Sequence, residues 1–270
     1  MAQLSINELT TYRWSFEQDV AYCSAAEVPA IGVWRQKLSD YGEEKGAELL
    51  AETGIAASSL LWAGGFTGDE GRTFVESVAD GREAIQTAAI IGAPTLIVYS
   101  GARAGHTRNH ARRLLRNALA ELAPLAAEEA IELAIEPMHI GCGSEWTFLS
   151  DFDETIELIS SLEFPNLKLA FDTYNWGFEN SVVERLAELT PWIASVQLGD
   201  GRQPPQGEQN RCPLGEGSVP LDSIVNTLLT NGYDGFFDVK LMGEDMESID
   251  YHELIKRSKE MFEAQLQARS

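Results

Sequence analysis

Short apolar runs alternate with longer stretches of helical period along nearly the whole chain. Residues 4–9, 30–34, 57–62, 95–100, 131–136, 167–172, 193–198 and 235–241 are five to seven residues long and read as buried strands. Between and after them, residues 15–26, 42–52, 74–91, 109–130, 151–162, 182–189, 221–230 and 250–267 carry the spacing of amphipathic helices. Strand then helix, repeated eight times, predicts a (β/α)8 TIM barrel spanning residues 1–270 as a single domain. Gly54, Gly92 and Gly232 stand where helices should stop, and Ser15, Ser181 and Asp250 where they should be capped.

Four strands share a further feature. Leu133-Ala-Ile-Glu136, Leu169-Ala-Phe-Asp172, Ala194-Ser-Val-Gln197 and Phe236-Phe-Asp-Val-Lys240 each deliver one polar side chain at or near the C-terminal end of an apolar run. Those four residues lie 36, 25 and 43 positions apart, about one βα unit each. A barrel assembles a reaction centre in this way, from the ends of several strands at one face. The long polar stretch 199–220, rich in Gly, Pro and Gln, follows the seventh strand and belongs to the same face, so a functional loop is expected there.

Charge narrows the class of partner. With 20 basic against 42 acidic residues, a formal net charge of -22 repels a phosphate backbone and an anionic membrane, and a small neutral substrate fits better. Cys23, Cys142 and Cys212 are an odd and scattered set, and Met1-Ala-Gln-Leu-Ser has no basic region leading into an apolar stretch. A reduced, cytoplasmic protein without membrane spans is expected. Trp146, Phe148 and Phe178 stand near the expected rim, where they would close a homodimer interface or only a lid.

From Ser5-Ile-Asn7 on the first strand to Gly232-Tyr-Asp-Gly235 before the eighth, the chain resembles the xylose isomerase-like sugar isomerases and epimerases. That group includes ketose 3-epimerases, hydroxypyruvate isomerase, keto-inositol dehydratase and the endonuclease IV-like branch. The resemblance implies a divalent metal, Mn or Mg, held at the C-terminal mouth by residues matching Glu136, Asp172 and Gln197, and a sugar substrate. Carboxylate and carbonyl oxygens at the same level of neighbouring strands suit such an ion. The endonuclease branch needs several more His and acidic ligands than a chain with four His supplies.

Two positions depart from the family pattern. Relatives carry Glu, both a ligand and an acid/base group, where this chain has Lys240, and many carry His where it has Asn175. A protonated lysine cannot ligate a metal, and Asn can hydrogen-bond but not carry a proton. Three readings of Lys240 stand side by side: a fixed positive charge in the metal's place, a base whose pKa a nearby metal lowers, or a position where catalysis has been lost, by nature or by deliberate substitution. Solvent-directed snorkelling from a strand end is the structural alternative.

Other residues on the same face extend the candidate site. His139 follows the fifth strand as a proton carrier or substrate contact, and His106 follows the fourth. His106 and His110 have the spacing of a zinc helix but lack the Glu of that motif, so no metal is expected there. Arg211, in the loop after strand seven, offers a planar fork for a substrate oxygen, with pairing to a surface acid as the alternative. Trp62 and Trp176 offer rings for the apolar face of a sugar, or ordinary packing, and Asn7 a polar group in the same pocket.

The resulting expectation is a sugar isomerase or epimerase acting on a small ketose or keto-sugar. Glu136 would remove a proton beside a carbonyl, and a metal or Lys240 would stabilise the enediolate. A lyase using the same enolate on a keto-sugar or keto-inositol, and an inactive sugar-binding barrel, remain open alternatives.

Overall fold

The structure is a computed structural model that describes residues 3–267 apart from 70 and 208. In chain order its elements are β1 (Gln3–Asn7), α1 (Phe16–Ala25), β2 (Ala30–Trp34), α2 (Arg35–Tyr41), α3 (Glu43–Thr53), β3 (Ala56–Gly64), α4 (Phe74–Ile90), β4 (Thr95–Tyr99), α5 (Arg108–Glu128) and β5 (Glu132–Ile135). They continue with α6 (Phe152–Ser160), β6 (Leu167–Asp172), α7 (Thr173–Trp176), α8 (Asn180–Val183), α9 (Leu186–Leu189), β7 (Ile193–Leu198), α10 (Leu221–Thr230), β8 (Phe236–Val239), α11 (Glu244–Glu247) and α12 (Tyr251–Gln267). A 3-10 turn, Thr190–Trp192, leads into β7.

Every strand pairs in parallel with its sequence neighbours, and β1 pairs with β8, so the sheet closes into the (β/α)8 barrel. The two-residue strand period sorts the side chains into two cores. Leu96 and Val98, Leu133 and Ile135, Leu169 and Phe171, Val196 and Leu198, and Phe237 and Val239 belong to the large core that includes the buried faces of the helices. Their alternates Ile97, Tyr99, Ala134 and Ala170 form a separate cluster inside the barrel with Leu61 and Met138. Glu136, Asp172, Gln197, Asp238 and Lys240 fall on that same inward phase and are all buried. Alternation alone therefore turns these polar groups toward the barrel axis instead of toward the surrounding helices.

Boundaries follow local chemistry. Ser15 and Thr73 each close a capping box at the starts of α1 and α4. Asp250 accepts the backbone N–H groups of His252 and Glu253 at the start of α12, and Gly54 ends α3 in the left-handed conformation. Three sequence expectations shift. Residues 35–41, which lie between the expected strand 30–34 and helix 42–52, form α2 directly after Trp34. The expected helix 182–189 is two short pieces, α8 and α9, and Ser181 lies inside α8, whose N-cap is Glu179. Lys240 and Glu136 stand one residue beyond β8 and β5, although their backbone N–H groups still reach the Leu198 and Val98 carbonyls of the neighbouring strands. Among the described residues, no helix is long and apolar enough to cross a membrane.

Candidate active site at the barrel mouth

Lys240 is the hub. Its Nζ donates to Gln197 Oε1 at 2.6 Å, to Glu136 Oε1 at 3.1 Å and to Tyr99 Oη at 3.3 Å, and lies 3.4 Å from Asp172 Oδ2. Gln197 turns its Nε2 to Glu136 Oε2 at 3.2 Å, so both ends of the amide are used and its orientation is fixed. Asp172 receives Arg211 as a fork, Nη1 to Oδ1 at 3.0 Å and Nη2 to Oδ2 at 2.8 Å, and accepts the Tyr174 N–H at 2.9 Å. Arg211 also donates to the Lys240 carbonyl and to Gln209 Oε1, and lies over the Tyr174 ring at 4.5 Å. Two carboxylates thus face two cations in a cluster with almost no exposed surface: Glu136, Asp172, Gln197 and Arg211 are at 0% and Lys240 at 1%.

The protonation states follow from burial set against these partners. Burial raises the Glu136 carboxyl from its ordinary value, with the Lys240 charge opposing and Asp172 adding to the rise. Burial acts the same way on Asp172, but Arg211 and Lys240 outweigh it and hold this carboxyl below its ordinary value. For Lys240, burial favours the neutral amine, yet Glu136, Tyr99 and Asp172 hold the ammonium more firmly than in water. The Tyr99 phenol is driven up by burial and by Glu136 and stays protonated. The Lys240 ammonium is thus fixed between the Glu136 carboxyl and the Gln197 amide oxygen.

The strap 199–220 delivers Arg211. Its organiser is Asp200, whose carboxylate accepts the backbone N–H groups of Gly201, Gly215, Gly217 and Val219. Asp200 also pairs through its carbonyl with Cys212, and the Arg211 N–H reaches the Met242 carbonyl beyond β8. Gly199 leaves the room Arg211 needs, since a Cβ there would collide with Nη1.

The remaining sequence candidates distribute around this cluster. Trp62 is half-buried and packs against Tyr99 and Trp146, each with ring centroids 5.5 Å away. Asn175 accepts the His139 N–H and the Cys142 thiol through Oδ1, while its buried Nδ2 has no partner. The His139 ring accepts from the Gly141 N–H through Nδ1 and meets Glu179 at 3.2 Å through Nε2, so both nitrogens are engaged away from Lys240. His106 Nε2 meets the Thr67 carbonyl at 3.1 Å, and its ring lies 4.6 Å from that of His110. Trp176 is not free to stack on a ligand: its Nε1 donates to the Pro137 carbonyl and its ring packs against Phe152 in the outer core. Asn7 is spent below the cluster, donating to Asp238 Oδ2 at 2.6 Å.

Sequence reasoning missed Tyr99, Gln209, Tyr174 and Asp238. Tyr99 and Asp238 carried a signal, because each sits on the inward phase of its strand, two residues from another inward side chain.

Glu136, Asp172 and Gln197 therefore converge, but around an ammonium, and the residues present do not fit a divalent ion. An ion bound by those three oxygens would need the place that Nζ occupies at 2.6–3.4 Å. A protonated amine has no lone pair to offer it, and both carboxylates already have a cation. Among the described residues, no group of three or more His, Cys, Asp and Glu gathers as a metal site.

Residues 20–265 match the family described as xylose isomerase-like TIM barrel. The chain belongs to this family. It is 21% identical to an inosose isomerase of Bacillus velezensis over 276 aligned positions, 97% of this chain and 96% of that protein. Among solved structures, protein SMc04130 of Sinorhizobium meliloti superposes with a TM-score of 0.88 at 22% identity, covering 97% of each chain. The IOLI protein with a bound zinc atom gives 0.84 at 18% identity, covering 98% of each. These likenesses establish the barrel; the chemistry has to come from the residues at its mouth.

Proposed function

We propose that this chain is an isomerase of a small polyhydroxylated ketone, a keto-inositol or a ketose, working by proton transfer beside the carbonyl. The observation that carries this reading is the 3.1 Å pairing of Glu136 with the Lys240 ammonium inside a water-poor cluster. A substrate carbonyl that replaces one of the three Nζ acceptors, of which Tyr99 at 3.3 Å is the most distant, brings its neighbouring C–H toward the carboxylate. Glu136 takes that proton, the C–H electron pair forms the enediolate double bond, and the carbonyl π pair moves onto the oxygen facing the ammonium. After a proton passes between the two enediolate oxygens, Glu136 returns its proton to the adjacent carbon. The inosose isomerase relatives support a cyclic or open-chain keto-sugar as substrate.

Isomerisation is favoured over epimerisation by the state of Asp172. Both of its oxygens are held by Arg211, which leaves Glu136 as the carboxylate able to take a proton in this cluster. One carboxylate on one face moves a proton between neighbouring carbons, whereas inverting a single carbon needs a second acid on the opposite face. Tyr99 packs against Trp62 and Trp146, and Trp146 is 36% exposed, so this aromatic group is the proposed way in for substrate.

The test is a panel of keto-inositols and ketoses incubated in deuterium oxide and followed by NMR. The wild type is expected to form an isomer carrying solvent label. Glu136→Gln should lower that rate at least about a hundredfold, the usual size of a general-base contribution, with unchanged circular dichroism. A Glu136→Gln protein that keeps the wild-type rate would overturn the assignment.

A further inference from the structure

We propose that the mouth of this barrel is a metal-refusing site, in which the Lys240 ammonium permanently supplies the charge that a divalent ion would supply, and that residue 240 alone sets this choice. The family resemblance implies a metal; the geometry here points the other way. Lys240 Nζ stands within 3.4 Å of one oxygen each from Glu136, Asp172 and Gln197, which is the common focus of the three donors. Tyr99 closes a fourth direction with its phenol. An entering ion would have to expel the ammonium from a place where it is surrounded by acceptors.

Charge counting gives the same answer independently of distance. As it stands, the cluster sums to zero: Glu136 and Asp172 against Lys240 and Arg211. Adding a divalent ion would leave two uncompensated positive charges among groups that have no exposed surface, a costly state in a low-dielectric interior. Replacing Lys240 by Glu reverses the sum. Three carboxylates against Arg211 leave a deficit of two positive charges, which a divalent ion cancels, and the new carboxylate adds an oxygen donor in the place of the amine. Arg211 need not move, because Asp172 Oδ2, the oxygen nearest the focus, keeps a second lone pair after accepting from Nη2. Gln197, whose Oε1 already points at the focus, supplies a neutral ligand.

The refusal of the ion rests on geometry and charge alone, whereas the catalytic use of the ammonium rests on the functional reading above. Metal uptake is measured without a substrate, so a failed substrate screen and a failed metal prediction are separate results. Tag-free wild type, Lys240→Glu, Lys240→Gln and Lys240→Glu with Asp172→Asn are each equilibrated with manganese chloride, freed of excess ion, and analysed for bound metal and thermal midpoint. The wild type is expected to retain no stoichiometric ion and to melt at the same temperature with or without manganese. Lys240→Glu should retain close to one ion per chain and melt higher with manganese, and adding Asp172→Asn should abolish both effects. Lys240→Gln, which removes the ammonium without adding a carboxylate, should bind more weakly than Lys240→Glu and still better than the wild type, and it serves as the comparison if Lys240→Glu does not fold. Near-stoichiometric manganese on the wild type, lost in Glu136→Gln, would overturn the proposal. A folded Lys240→Glu protein that binds none would equally overturn the claim that residue 240 decides.

Discussion

Asp238 lies two residues before Lys240 on the same inward phase, and it shows how burial outweighs polar partners for a group at this end of the barrel. Burial raises its carboxyl to about 6, against lowering by hydrogen bonds from Ser5 and Asn7 and by the Lys240 charge. Gly32 leaves the room it occupies, and its Oδ1 has no partner. A raised acid pKa means that the folded state holds a proton which the unfolded chain has lost. Stability from this group is therefore greatest below the unfolded value near 4 and falls as pH rises toward 6, by about 3 kcal/mol in all. Urea titrations between pH 4 and 7 should show this decline in the wild type and a flatter profile in Asp238→Asn; equal slopes would refute the assignment. The same residue marks the limit of the sequence reading. Glu136, Asp172, Gln197 and Lys240 are legible because each closes an apolar run, whereas Asp238 and Tyr99 sit inside such runs and show only through strict alternation. His139 was legible as a residue of the active face, but not its engagement with Glu179, which depends on how the segment after β5 folds back.

Among the elements, the strands were legible and the short helices were not, for one physical reason. A buried strand declares itself within five or six residues, whereas a helix needs several turns before an apolar stripe repeats. Thus α4, α5 and α12 appear with errors of one or two residues at most, while α2, α7 and α11 carry too few turns to show a period. The strap 199–220 was legible as a loop but not as a structure, because its order comes from one carboxylate, Asp200, collecting four backbone donors. That strap bears on the site through a close approach of Gly199 to Arg211. Gly199→Ala places a methyl against Nη1 and the Tyr174 side chain, and should cost about 1–3 kcal/mol, the usual range for overpacking. The urea midpoint reads it directly. An unchanged midpoint would mean that strap and strand are not locked through Arg211.

At the scale of the molecule, closure of eight parallel strands brings residues more than a hundred positions apart to one point, and every inward group then meets the others in a shared, water-poor space. Fold and charge balance become one problem there, because Glu136 and Asp172 are met within the barrel by Lys240 and Arg211. The chain as a whole, by contrast, carries a formal net charge of -22. The measurement that tests this account most directly is solvent deuterium exchange into a keto-inositol or ketose by chelator-treated protein. Exchange at the untreated rate, lost in Glu136→Gln, is the result predicted for catalysis by the Glu136–Lys240 pair. Exchange that stops with the chelator and returns with manganese would contradict it.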